Sequence, residues 1–184
     1  MTDPRTAADA LEYAREQMRA DGIMPAVDPP PDVPYDRMLV TLDDGTRAIV
    51  GLADYDLTGL SDEQVARWHT HMAEWMAYAT AQHAAHDMAV QMLKGAHAGA
   101  LAVAKARALA SGAKVSITVA KALAEADVDV LALAREVERA RAARAPWAAA
   151  VKAIPSLLGV PREEIRRRQG APGPRYAGPD GRRG

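Results

Sequence analysis

The fifty residues that begin at Ser61 constrain the fold more than any other stretch, because they contain no proline and repeat their apolar side chains at helical spacing. Val65, Trp68, Met72, Trp75, Met76 and Ala79 fall three or four apart, which places them on one apolar stripe of one helix. The start is specified as well. Ser61 can cap a free helix N–H, Gln64 completes a capping box, and Leu60 and Val65 hold hydrophobic-staple positions. A continuous helix of this length rises roughly 75 Å, farther than one compact domain of 184 residues spans. It therefore has to pack against other helices, in part from another subunit. Gly95 and Gly99 are the positions where it would bend or break, which leaves two successive helices as the alternative.

Composition points the same way. Hydrophobic content is 49%, but much of it is alanine; phenylalanine is absent and aromatic residues make up 4%. Alanine favours helix and close helix approach while burying little area per residue. Such a chain reads as narrow helices that gain stability by assembling. The absence of cysteine excludes disulfides, thiolate catalysis and sulfur-ligated metals. No signal peptide is visible in residues 1–20, and the apolar run at 95–104 is too short for a membrane span. These features lead us to expect a protein of the cytoplasm.

The formal net charge of −1 conceals a strong polarity. Residues 1–88 carry 6 Lys/Arg against 16 Asp/Glu, and residues 89–184 carry 17 against 8, so −10 is followed by +9. One half should repel polyanions and the other attract them, or the halves of neighbouring subunits should attract each other.

Taken in order, residues 1–20 predict a short helix with Asp3 as its cap and Pro4 in its first turn. Leu11, Ala14 or Arg15, and Met18 give it a narrow apolar face, and Gly22 ends it. Residues 21–36 are a proline-rich linker of extended character, so this helix is expected to lie away from the body or on a neighbour. Residues 37–60 predict a β-hairpin and loop: 37–42 and 46–52 flank Asp43-Asp44-Gly45, and a two-residue turn there would set Val40 opposite Ile49. Residues 61–169 form the helical core. After the long helix, Ser116 or Thr118 caps a short one near 119–125, and Asp127 or Asp129 caps the next. Pro146 should start a new turn or kink a helix, Pro155 marks a turn, and Pro161 opens a final helix. From 170 to 184, glycine, proline and charge predict a disordered tail. The fold class is thus mainly α, with long helices packed as an oligomerising bundle, a small N-terminal hairpin and that tail.

A long tryptophan-bearing helix, a glycine-containing connection, the segment Ala126-Asp-Val-Asp-Val-Leu131, a helix carrying Trp147, and a terminal Ile165-Arg-Arg-Arg168 occur in that order. Over residues 61–169 this resembles the UvsY-like family of phage recombination mediators. The resemblance implies an oligomeric, non-enzymatic protein of the bacterial host cell's cytoplasm. It would bind single-stranded DNA, help displace single-strand-binding protein and load a recombinase filament. By the same resemblance, Lys105, Arg107 and Lys114 match the basic region near the end of the long helix.

Two basic sets are candidate phosphate contacts. The first is Lys94, Lys105, Arg107, Lys114 and Lys121, repeated around an oligomer, with binding that weakens steeply in salt; its competing role is to solvate an alanine-rich helix. The second is Arg162, Arg166, Arg167 and Arg168, for which capping of the helix C-terminus is the equal alternative. A further candidate is Arg135, Arg139, Arg141, Arg144 and Lys152, for which pairing with the nearby Glu136 and Glu138 is the stronger alternative. Trp68, Met72, Trp75, Met76 and Trp147 read as core or a subunit seam, since they do not interleave with the basic residues as stacking platforms would. His83 and His86 share a helix face, with His69 and His97 fourteen residues to either side of His83, but no closed ligand set follows, and no metal or cofactor is expected. No nucleophile, acid–base pair or phosphate loop has a partner, so no catalysis is expected. A helix-turn-helix at 118–132 would present Asp129, Val130, Leu131 and Ala132 to bases, a poor reading set. The competing function is a phage structural or assembly protein that forms oligomers without nucleic acid.

Overall fold

A computed structural model of the chain describes residues 5–22, 33–34, 37–41, 45–51, 59–111 and 115–170. The protein is mainly α-helical. Its elements are α1 (Ala7–Ala20), β1 (Arg37–Thr41), β2 (Arg47–Gly51), α2 (Asp62–Ala110), α3 (Ile117–Glu125) and α4 (Val128–Arg168). The chain divides into two compact units, residues 1–28 with 79–150 and residues 29–78 with 151–184.

In the first unit, α1 starts at Thr6 rather than at Asp3. The Thr6 hydroxyl accepts from the Asp9 N–H at 3.1 Å, and the Ala7 N–H donates to the Glu136 carboxylate at 2.9 Å. A cap of the chain's own and an acid from α4 together satisfy the first turn, where the helix dipole favours negative charge. Gly22, at φ +68°, closes the other end as expected. Nor does α1 stand apart within its unit. Ala10 packs with Ala89, Val90 and Leu93 of α2 and with Val137 and Ala140 of α4, while Met18 packs on Ala85. Alanine on three facing helices brings the backbones close, so a face that looks too narrow in sequence is enough to seat α1.

The long helix is one element of 49 residues, unbroken at Gly95 and Gly99. A Cβ built on either glycine meets nothing within 4 Å. Helix interiors tolerate glycine at a cost of about 1 kcal/mol each, which is not enough to break a helix supported on both sides. Beyond α2, the Ser116 hydroxyl accepts from the Val119 N–H at 3.3 Å and starts α3. The Asp127 carboxylate accepts from the Asp129 N–H at 2.9 Å and starts α4. Ala104, Ala124 and Val130 form the small cluster on which α2, α3 and α4 meet.

In the second unit, the capping box at Ser61 is formed in both directions. The Ser61 N–H donates to Gln64 Oε1 at 2.8 Å, and the Gln64 N–H donates to Ser61 Oγ at 3.2 Å. Leu60 and Val65 share one cluster with Trp68 and Met72, packed against Ala48, Leu157, Leu158 and Ile165. Trp68 and Met72 are fully buried, whereas Trp75 and Met76 are half-buried. The Trp75 indole donates to the Val33 carbonyl at 2.6 Å and meets Tyr78 edge-on at 5.7 Å. The expected linker is therefore tied to α2 at its far end; residues 23–32, 35 and 36 lie outside the described residues.

Two expectations are corrected here. β1 and β2 pair antiparallel with Val40 opposite Ala48 and Thr41 opposite Arg47, so Ile49 faces Leu39 instead of Val40. The last pair leaves five residues, 42–46, between the strands, so a two-residue turn is not what joins them; Gly45 sits at φ +82°, and residues 42–44 lie outside the described residues. The second correction concerns α4, which is one 41-residue helix through Pro146, Pro155 and Pro161. A helical proline loses one hydrogen bond and crowds the carbonyl four residues back. Here burial around the prolines holds the helix: Ala150, Ile154 and Pro161 itself are buried. The expected tail at 171–184 lies outside the described residues.

Candidate nucleic-acid interface

The first basic set lies on α2 and α3. Lys94 and Arg107 are exposed, Lys105 is half-buried, Lys121 is exposed, and Lys114 is outside the described residues. Arg107 lies 3.8 Å from Asp127, and Lys121 lies 3.7 Å from Glu125. Lys94 and Lys105 have no ion pair among the described residues. Sequence spacing cannot show the Arg107–Asp127 pair, because it joins the end of one helix to the residue that caps another.

Three members of the second set are paired with carboxylates. Arg166 meets Glu163 at 3.2 Å, Arg167 meets Glu164 at 2.6 Å, and Arg168 meets both Glu164 at 2.7 Å and Asp62 at 2.6 Å. Glu164 is buried, and the hydrogen bonds from Arg167 and then Arg168 hold its carboxyl down at about 2. The bonds it donates to Asp62 and then to Glu164 raise the guanidinium of Arg168 above its ordinary value. The Asp62–Arg168 pair links the first turn of α2 to the last of α4, positions at which each charge also suits its helix dipole. Arg162 is exposed and has no ion pair among the described residues.

The remaining cations follow the pairing expected of them in part. Arg139 pairs with Glu136, and Arg141 meets Glu138 at 2.5 Å, but Arg144 reaches across to Asp87 of α2. Near that pair lies a polar layer that spacing did not reveal. Gln82 is 1% exposed and accepts from Arg15 Nη2 of α1 at 2.7 Å. His86 stacks on Trp147 with centroids 6.4 Å apart, 25° from parallel. Trp147 is thus half-buried on a histidine rather than on alanines alone. Burial lowers the pKa of His86, and the charges of Arg15 and His83 lower it further. The signal for this layer was weak: Gln82 and His86 are four apart on α2, but Arg15 and Trp147 lie about sixty residues to either side.

Among the described residues no group of three or more histidines and carboxylates is placed to hold a metal ion, and no helix is long and apolar enough to cross a membrane. An open groove of about 650 Å³ is lined by Met92, Gly95, Gly99 and Leu133, with Arg5 and Asp129 as its charged groups. Among the described residues, seven of the nine exposed large apolar side chains fall between residues 103 and 131 of the sequence: Val103 and Leu109 of α2, Ile117, Val119 and Leu123 of α3, and Val128 and Leu131 of α4. No protein-family model, curated protein or solved structure matches the chain.

Proposed function

We propose that this protein is a non-enzymatic helical scaffold that works by assembling, and that its assembled form holds single-stranded DNA for a recombinase as the UvsY-like mediators do. The observation that carries the scaffold reading is the stretch from Val103 to Leu131, over the end of α2, α3 and the start of α4, which holds seven of the nine exposed large hydrophobic side chains described. Exposed apolar side chains concentrated in one stretch of the chain favour a contact with another protein. The DNA part rests on the resemblance over residues 61–169 and on Lys94, Lys105 and Arg162, cations with no acidic partner among the described residues.

A second reading, assembly without nucleic acid, has its own observation. Of the nine candidate phosphate contacts, Arg107, Lys121, Arg166, Arg167 and Arg168 already face carboxylates. A phosphate would have to displace those partners, which lessens what each cation contributes. Binding of a labelled oligothymidine at low and at physiological salt separates the two. The mediator reading expects micromolar or tighter binding with a steep salt slope, several-fold weakened by Lys105→Glu. No binding at low salt would remove the DNA role and leave the assembly reading.

A further inference from the structure

Small side chains seat α1. Its buried residues are Ala10, Ala14 and Met18, and alanine methyls bury little area. A helix of 14 residues is marginal in water without tertiary support. Arg15 adds a polar contact through Nη2 to Gln82 Oε1, but Gln82 is neutral. Among the described residues Arg15 has no carboxylate partner, and its Nε is buried and donates to nothing. A guanidinium taken part-way out of water without an acid weakens the seat it helps to make.

His86 lies one turn beyond Gln82 on the same face of α2. It is 7% exposed, and its ring stacks on Trp147 of α4. The charged groups about it come from all three helices. α1 brings Arg15, with Glu12 and Arg19 one turn to either side of it, exposed and of opposite sign. α2 brings His83 and Asp87, and α4 brings Arg144, which holds Asp87 in an ion pair. A proton on His86 would set a second positive charge beside Arg15, with Asp87 already taken and in surroundings that screen charge less than water does. The neutral ring therefore belongs to the seated state of α1. Of the three helices α1 leaves most readily, because Trp147 and the Arg144–Asp87 pair still hold α4 on α2 when it has gone.

We propose that α1 is a pH-dependent latch: on acidification a proton on His86 repels Arg15 and releases α1 from α2 and α4. Release bares the seat formed by Ala89, Val90, Leu93, Val137 and Ala140. Burial, then the charges of Arg15 and His83, lower the pKa of His86 below the ordinary 6.5. The released chain thus takes up the proton at a higher pH than the seated one, and seating is lost as pH falls below 6.5. The latch stands apart from the DNA and assembly readings.

Amide hydrogen exchange of the full chain, corrected for the intrinsic rate at each pH, reads local opening directly. Residues 7–20 should lose protection several-fold between pH 7.5 and 5.5, while residues 85–93 of α2 and 137–147 of α4 hold theirs. His86→Phe keeps a ring on Trp147 and takes no proton, so it should remove the loss. Arg15→Met keeps the apolar stem without the charge. It should lower the protection of α1 at pH 7.5, since Gln82 loses its partner, and shrink the further loss at pH 5.5. Protection of α1 that ignores pH, or that falls equally in all three helices, would overturn the latch. So would a His86→Phe chain that still frees α1 at pH 5.5. Should His86→Phe fail to fold, Arg15→Met decides, and a loss as large as that of the wild type counts against the proposal.

Discussion

Gly99 and His86 illustrate what single side chains contribute. Gly99 lies inside α2, where glycine costs about 1 kcal/mol relative to alanine, and a Cβ there meets nothing within 4 Å. Gly99→Ala should therefore raise stability by about 1 kcal/mol in urea melts of the assembled protein. A loss of stability would mean that another molecule approaches the α2 backbone at this point. His86 is held neutral by burial and by the charges of Arg15 and His83, so its pKa lies below the ordinary 6.5. The unfolded chain takes up that proton first, and as pH falls below 6.5 the folded state loses stability. Thermal midpoints should drop between pH 7.5 and 5.5, and His86→Phe should flatten the drop; an unchanged slope would show that another group causes it. Local signals at this scale were legible in sequence. Ser61 with Gln64 caps as its spacing indicates, and of the pairs Ser116 or Thr118 and Asp127 or Asp129 the first of each does the capping. Thr6 was missed, although Asp9 three residues on repeats the same pattern, because Asp3 and Pro4 offered a competing start.

At the scale of elements, the start of α2 and its proline-free span could be read from the sequence, though a break at Gly95 or Gly99 stayed open; the reach of α4 could not. Each proline looked like a boundary, yet α4 passes through three of them. Local propensity favours a break; packing of Ala150, Ile154 and Pro161, which local sequence does not disclose, prevents it. Pro146 is exposed, so removing it relieves the helix at no packing loss. Pro146→Ala should stabilise by about 1–3 kcal/mol in denaturant melts, whereas Pro161→Ala, which gives up a buried ring, should gain less or nothing. No gain from Pro146→Ala would mean that α4 needs the bend a proline makes. The seating of α1 was likewise hidden, since alanine-on-alanine contact leaves no large apolar residue in the sequence to announce it. The strand register was misjudged by one residue because the segment that joins β1 and β2 is longer than Asp44-Gly45.

For the molecule as a whole, charge pattern and exposed surface carry the functional argument. The −10/+9 division of the sequence pointed to polyanion binding or to subunit contact. In the folded chain two ion pairs join the acidic half to the basic one: Asp62 with Arg168, and Asp87 with Arg144. Part of the polarity is thus spent within the chain, at separations too long for spacing to predict. Among the described residues, most of the exposed large apolar side chains lie between Val103 and Leu131, on α2, α3 and α4. The most direct measurement is the particle mass of the full-length protein by sedimentation velocity across a hundredfold concentration range at physiological salt. A mass that rises with concentration to a fixed multiple of one chain is the predicted result, and it should persist at high salt because the contact is apolar. A single chain at every concentration would contradict the account.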